Sequence, residues 1–292
     1  MPSTANSRRF EVWGSPIRHS RSPQLHRGAY GLLGLDWEYR RREVNAGQFA
    51  QYFSTLGPEV HGLSLTMPLK EVALDEISEH RGPVDLLQAA NTAVKGPQGW
   101  WLDNTDWWGA WRALSDAGGS AGQRVWLLGA GATARAVLYA LAQDVPEQVT
   151  LLVRSPERAR VTEVLAQTLG LSPRVSTFDD VPEEHADWVI STLPGGVVPD
   201  APGLVDQATH AKLFDIAYEP WPSVLARTWS HSAHAVVSGR SMLVYQALGQ
   251  LRAFVNGDSQ QPLDDEARVL EAMWQAIEAE PGEDATQTSV KQ

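Results

Sequence analysis

Short apolar runs alternate with amphipathic stretches along the first hundred residues. Residues 10–14, 37–44 and 62–66 read as strands, and residues 23–33, 48–56 and 69–77 as helices. Elements that alternate in this way predict a parallel sheet covered by helices. Residues 92–95 and 100–102 flank Gly96-Pro97-Gln98-Gly99, whose turn chemistry predicts a hairpin-like excursion. A new unit begins near Asp106. A helix over 109–114 is broken by the small residues of 117–122, and 124–128 follows as a buried strand ending at Gly129. Residues 132–143 then read as a helix and 148–153 as the next strand, with further strands at 188–192, 213–217 and 235–237. Residues 241–254 are helical, and 264–278 is amphipathic, with Leu263, Ala267, Leu270, Trp274 and Ile277 on one stripe.

Composition narrows the partners more than the fold. The 292 residues suffice for one large domain or two ordinary ones. A net charge of −11 argues against a nucleic-acid surface. No apolar run approaches the roughly 20 residues that cross a bilayer, and the polar stretch 1–9 lacks the apolar core of a signal peptide. Without cysteine there is no disulfide, thiol nucleophile or thiolate zinc site, and no metal site is expected. The expectation is a soluble, cytoplasmic protein without nucleic-acid or membrane partners. Five of its tryptophans cluster at Trp100, Trp101, Trp107, Trp108 and Trp111. They read as packing rather than as the wall of a ligand cleft, because indole buries much apolar area and large pockets are few.

Gly129-Ala130-Gly131-Ala132-Thr133-Ala134 fits G-x-G-x-x-A directly between a predicted strand and a predicted helix. The first glycine permits the tight turn, the second lets a pyrophosphate approach the backbone, and the small third residue lets the helix pack on the sheet. Free N–H groups at the start of that helix face the phosphates. The next strand ends Leu151-Leu152-Val153 and is followed by Arg154-Ser155-Pro156-Glu157-Arg158. Val153 offers no carboxylate for a ribose diol, whereas Arg154, with Ser155 and Arg158 close by, suits a 2′-phosphate. The motif therefore predicts NADP rather than NAD.

Two further groups of residues carry chemistry. Ser20 and Ser22 precede a helix, where hydroxyls and the dipole can bind a carboxylate; equally, Ser22 before Pro23 is a good N-cap. Thr66, Lys70, Asn91, Thr92 and Asp106 each follow an apolar strand or turn, and such ends converge at one edge of a parallel sheet. Lys70 can donate a proton to a ketone oxygen as hydride arrives, with Asp106 holding the ammonium. From spacing alone, a structural Lys–Asp ion pair is the plainer alternative.

Gly14 to Pro23, Leu65-Thr66-Met67-Pro68-Leu69-Lys70, Ala90-Asn91-Thr92, Asn104-Thr105-Asp106 and Gly129-Ala130-Gly131 together resemble the shikimate dehydrogenase family. So do Asp215-Ile216-Ala217-Tyr218-Glu219-Pro220-Trp221-Pro222 and Gly239-Arg240-Ser241-Met242-Leu243-Val244-Tyr245-Gln246. The motifs occur in the family's order over residues 10–260, in the style of its actinobacterial branch. The resemblance implies a two-domain α/β fold: a substrate-binding domain over 1–105, an NADP-binding Rossmann domain over 106–239, and C-terminal helices over 240–280 that return to the first domain. A disordered tail is expected over 281–292. It implies reversible, NADPH-dependent reduction of 3-dehydroshikimate to shikimate in aromatic amino acid biosynthesis, by a monomer or homodimer. Lys70 and Asp106 match the catalytic pair, and Ser20 and Ser22 the carboxylate-binding hydroxyls. Thr66, Asn91, Tyr218 and Gln246 match groups around the substrate ring, and Gly239 the backbone beside the nicotinamide. The chain departs from the pattern in having Ser64 for an asparagine, Trp107 for the glycine after Asn-Thr-Asp, and Ala89 for a glycine. Those departures leave open a quinate or aminoshikimate dehydrogenase. Two other readings stand beside it: a related dehydrogenase acting on another carbonyl or a folate, and a non-catalytic regulatory homologue that binds shikimate and NADP.

Overall fold

A computed structural model describes residues 8–279, apart from 198, 202, 209 and 232–234. The expected disordered tail therefore lies outside the described residues. Two six-stranded sheets organise the chain. The first holds β1 (Arg9–Gly14), β2 (Glu38–Glu43), β3 (Val60–Leu65), β4 (Glu79–His80), β5 (Thr92–Gly96) and β6 (Gly99–Asp103), in the order β2-β1-β3-β5-β6-β4. The second holds β7 (Arg124–Leu128), β8 (Gln148–Val153), β9 (Pro173–Thr177), β10 (Trp188–Ser191), β11 (Lys212–Asp215) and β12 (Val236–Ser238), in the order β12-β11-β10-β7-β8-β9. Around the first sheet run α1 (Ser22–Leu33), α2 (Phe49–Ser54), α3 (Leu69–Glu76) and α4 (Val84–Leu87), and α5 (Asp106–Asp116) leads to the second. Then come α6 (Ala132–Leu141), α7 (Pro156–Thr168), α8 (Leu204–Gln207), α9 (Val224–His231), α10 (Gly239–Asn256) and α11 (Glu266–Glu278).

The second sheet is parallel throughout. Its order is that of a doubly wound dinucleotide fold, with the reversal between β7 and β10. A crevice is thereby expected beyond the carboxyl ends of those two strands. The first sheet is not wholly parallel. Strands β1, β2 and β3 run together, but β5 pairs antiparallel with both β3 and β6. The Pro97-Gln98 turn is too short for a crossover, and only antiparallel neighbours accept such a connection.

Helix α10 starts directly after β12 and joins the two halves. Its Met242 and Tyr245 enter the core of the second sheet, while Val244, Ala247, Leu248 and Leu251 enter that of the first. The helix lies hard against α5 because residue 109 is glycine: a Cβ there would stand 2.7 Å from the Met242 carbonyl oxygen. Arg135 on α6 forms a second tie. Its Nε donates to the Leu87 carbonyl at 2.7 Å, and its Nη2 pairs with Glu71 beside Lys70. Trp101 is buried, and Trp100, Trp107, Trp108 and Trp111 pack against apolar clusters, as the packing reading expected.

One buried ring has a consequence for acid stability. His26 on α1 is wholly buried, stacks on Tyr39 at 4.3 Å, and has neither ring nitrogen in a hydrogen bond of normal geometry. Burial pushes its pKa down to about 3, with the Gln250 amide acting weakly the other way. The unfolded chain takes up this proton near 6.5 and the folded chain near 3, so stability is lost as pH drops from about 6.5 towards 3. At pH 4.5 the loss from His26 comes to about 2–3 kcal/mol. His26→Phe keeps the stack and removes the titration, so denaturant unfolding at pH 4.5 and 7.5 should show a smaller acid loss by that amount; equal losses would contradict it.

Candidate active site

Lys70 lies in the first turn of α3, where the helix dipole disfavours a cation. Its position is explained by its partner: Nζ lies 2.5 Å from Oδ2 of Asp106, the first residue of α5, where the dipole favours an anion. Both side chains are largely shielded from solvent. The other carboxylate oxygen of Asp106 accepts from Asn91 Nδ2 at 2.9 Å, and its backbone N–H donates to Asn104 Oδ1 at 3.0 Å. Asn91 is itself fixed on several sides. Its Oδ1 accepts from the Thr105 N–H at 2.8 Å and the Thr92 hydroxyl at 2.8 Å, and its Nδ2 also reaches Gln246 Oε1 at 3.2 Å. Thr105 in turn donates to the Gln246 carbonyl at 2.9 Å, so α10 is built into the site.

A cavity of about 200 Å³ opens beside this pair. Ser20, Ser22, Thr66, Asn91, Tyr218 and Gln246 all line it, together with Lys70 and Asp106. Ser22 does not act as an N-cap; Arg21 holds that position without a side-chain cap, and the Ser20 and Ser22 hydroxyls lie side by side at 3.3 Å. Ser64, where the resemblance led one to expect asparagine, donates to Gln250 Oε1 at 2.7 Å and accepts from the Tyr39 hydroxyl at 2.5 Å. It lines the same cavity, with its hydroxyl engaged by the protein. Burial lifts the Tyr218 phenol to about 12, opposed by the guanidiniums of Arg41 and Arg21.

A larger cavity, about 830 Å³, occupies the crevice beyond β7 and β10. Gly129, Ala130, Gly131, Ala132, Arg154, Ser155 and Arg158 line it, and Gly239 lines the smaller one instead. Gly129 has φ +102°, and a Cβ there would strike the Thr192 hydroxyl at 2.5 Å, so the turn demands glycine. A Cβ on Gly131 would meet nothing within 4 Å, which leaves an open cradle over the start of α6. Among the described residues no ion pair engages Arg154 or Arg158, so both guanidiniums are available to an anion. Ser155 is less available, since its hydroxyl donates to Glu157 at 2.7 Å.

Thr66, Met67, Lys70 and Thr133 line both cavities, so the two meet at the lysine. Thr133, whose Oγ1 lies 3.4 Å from Lys70 Nζ, was not singled out from the sequence, where it reads only as part of the phosphate-binding motif. Phe178 and the segment Thr192-Leu193-Pro194 were missed as well; they follow β9 and β10, and only the strand order brings them to the crevice. Trp107 lines neither cavity. It packs edge-on against Tyr139, ring centroids 5.1 Å apart, beside Leu87, Ala136 and Leu165.

A dinucleotide-sized crevice that opens onto a small polar pocket, with an ammonium at the join, defines a nicotinamide-dependent oxidoreductase. Residues 12–93 match the family model for the shikimate dehydrogenase substrate binding domain. The NADP(+) shikimate dehydrogenase of Methanothermobacter thermautotrophicus is 34% identical over 270 residues, 87% of this chain and 92% of that protein. The crystal structure of Mycobacterium tuberculosis shikimate dehydrogenase superposes with a TM-score of 0.80 at 34% identity, covering 93% of this chain and 99% of that one. A Thermus thermophilus shikimate 5-dehydrogenase, solved with NADP(H) and shikimate, gives 0.76 at 26% identity over 92% and 99%. The chain belongs to the shikimate dehydrogenase family.

If Trp107 is a packing residue, Trp107→Ala should cost about 2–4 kcal/mol of stability. Denaturant titration and shikimate binding by calorimetry would check this. Stability should drop with shikimate affinity held within about twofold, whereas a large affinity change would place the indole at the pocket.

Proposed function

We propose that this chain catalyses the reversible NADPH-dependent reduction of 3-dehydroshikimate to shikimate, a step of aromatic amino acid biosynthesis. The observation that carries the reading is the Lys70–Asp106 pair at the meeting point of the two cavities. Residues 1–105 take the substrate role and 106–239 the cofactor role, with 240–280 returning to the first sheet; the lining of the two cavities supports this division.

The open cradle at Gly131 and the unengaged guanidiniums of Arg154 and Arg158 fit a phosphorylated dinucleotide. NADP, when bound, supplies hydride exchange with the substrate carbon. In the reducing direction Lys70 gives a proton from Nζ to the ketone oxygen, and in the oxidising direction it takes the hydroxyl proton back. Asp106 keeps the ammonium in place through both steps, and Asn91 keeps Asp106 in place. The Ser20 and Ser22 hydroxyls take the substrate carboxylate, while Thr66, Tyr218 and Gln246 surround its ring. The enzyme is assigned to the cytoplasm as a monomer or homodimer, and light scattering after size exclusion separates those two states.

A crossed assay of shikimate and quinate against NADP and NAD tests the reading. Reduced nicotinamide should accumulate fastest with shikimate and NADP; no turnover with either acid would refute it. Lys70→Ala should lower turnover by about 10²–10⁴-fold, and unchanged turnover would remove the lysine from the chemistry. Arg154→Ala should raise the KM for NADP by about 10- to 100-fold and leave that for NAD nearly unchanged. An equal effect on both cofactors would detach Arg154 from the 2′-phosphate.

A further inference from the structure

A lysine ammonium carries three protons at the end of a flexible four-carbon stem. Asp106 Oδ2 takes one proton of Lys70 at 2.5 Å, which fixes a distance but lets Nζ swing about that oxygen. Aiming the proton that the reaction moves requires a second contact from another direction. Thr133 of α6 supplies it, accepting from Nζ with its Oγ1 at 3.4 Å. Among the described residues Lys70 is the sole hydrogen-bond partner of this hydroxyl. The separation is long for a hydrogen bond, and such contacts in free enzymes tighten when the Michaelis complex forms.

Neither partner is free to drift. Thr133 is the second residue of α6 and half-buried, and its branched Cβ restricts χ1 in a helix. Two positions on, Arg135 anchors the same turn to the end of α4. Its Nε donates to the Leu87 carbonyl at 2.7 Å and its Nη2 to the Gln88 carbonyl at 3.2 Å, and Nη2 also pairs with Glu71. Glu71 follows Lys70 in α3, and the Lys70 carbonyl accepts from the Ala90 N–H at 2.7 Å. The backbones that carry Thr133 and Lys70 are therefore tied together within one turn of the contact. Both residues line both cavities, so the contact stands where they meet.

We infer that Thr133 is a positioning residue for proton transfer, its hydroxyl accepting a second N–H of Lys70 so that the third is directed at the substrate oxygen. This rests on the proposed function, in which Lys70 exchanges that proton with a ketone oxygen. In the reducing direction the third N–H bond breaks, an O–H bond forms on the substrate, and the electron pair stays on Nζ. The other two N–H groups remain on Asp106 and Thr133. In the oxidising direction the lone pair takes the hydroxyl proton back. A hydroxyl suits the task because it anchors the amine without a second negative charge, which would hold the moving proton on the lysine.

Thr133→Val removes the hydroxyl and keeps the volume and the branched Cβ. In steady-state assays with shikimate and NADP, kcat should fall by about 5- to 30-fold. Both KM values, and NADP affinity by calorimetry, should stay within about threefold. Thr133→Ser should restore kcat to within about threefold of wild type. In a Lys70→Met background the Val substitution should change the residual rate by less than about threefold, since the hydroxyl acts through the lysine. A wild-type kcat in the Val variant overturns the inference, as does a Ser variant no faster than Val or a full further loss without Lys70. Weakened NADP binding with kcat unchanged overturns it too, because the hydroxyl would then serve the cofactor alone. Should the Val variant not fold, Thr133→Ala decides by the same criteria. An inactive wild type would remove the proposed function itself, whereas an active wild type with an unaltered Val variant removes only the role of Thr133.

Discussion

A carboxylate buried where the two sheets meet must have every oxygen engaged, and the site's construction follows from that need at Asp106. One oxygen takes Lys70 from α3 and the other takes Asn91 from the turn before β5. The backbone beneath it is held by Asn104, and Asn91 is held by Thr105 and by Gln246 of α10. Satisfying a single side chain thus draws together four segments from both halves of the chain. The close crossing of α5 and α10 at Gly109 makes this possible, because a longer interhelical distance would part Gln246 from Asn91. What results is a lysine whose ammonium is anchored on one side and open to both cavities on the other.

The chemistry-bearing residues were legible because they sit in short local motifs. The glycine turn after β7, the cationic end of β8 and the dense polar stretch around Asp106 each announce themselves within about ten residues. The strand order was less accessible. β9 begins at a proline and lies half-exposed on the edge of its sheet, so it carries no apolar run to mark it. β4 has only two residues and α4 only four, too few for either period to appear. The antiparallel setting of β5 follows from its hairpin to β6, yet alternating elements alone suggested a uniformly parallel sheet.

Long-range convergence was the other blind spot. Asn91 and Gln246 touch across 155 positions, and Thr133 meets Lys70 across 63. Neither meeting has a signature in spacing. Trp107 shows the reverse case, a conspicuous neighbour of Asp106 whose side chain leaves the site, because a helix sends successive residues to different faces. Ser64 stays in the pocket but points its hydroxyl at Tyr39 and Gln250, so a position that differs from the family pattern has been absorbed into the scaffold.

In the proposed reaction Lys70 and Asp106 act as one unit, the aspartate working through the lysine. A double-mutant cycle on kcat tests it most directly, using Lys70→Met, Asp106→Asn and the double variant with shikimate and NADP. Residues that act as a unit lose activity non-additively. The double variant should be no slower than Lys70→Met alone to within about threefold. Losses that multiply, so that removing Asp106 slows an enzyme already lacking Lys70 by its full single-variant factor, would contradict it.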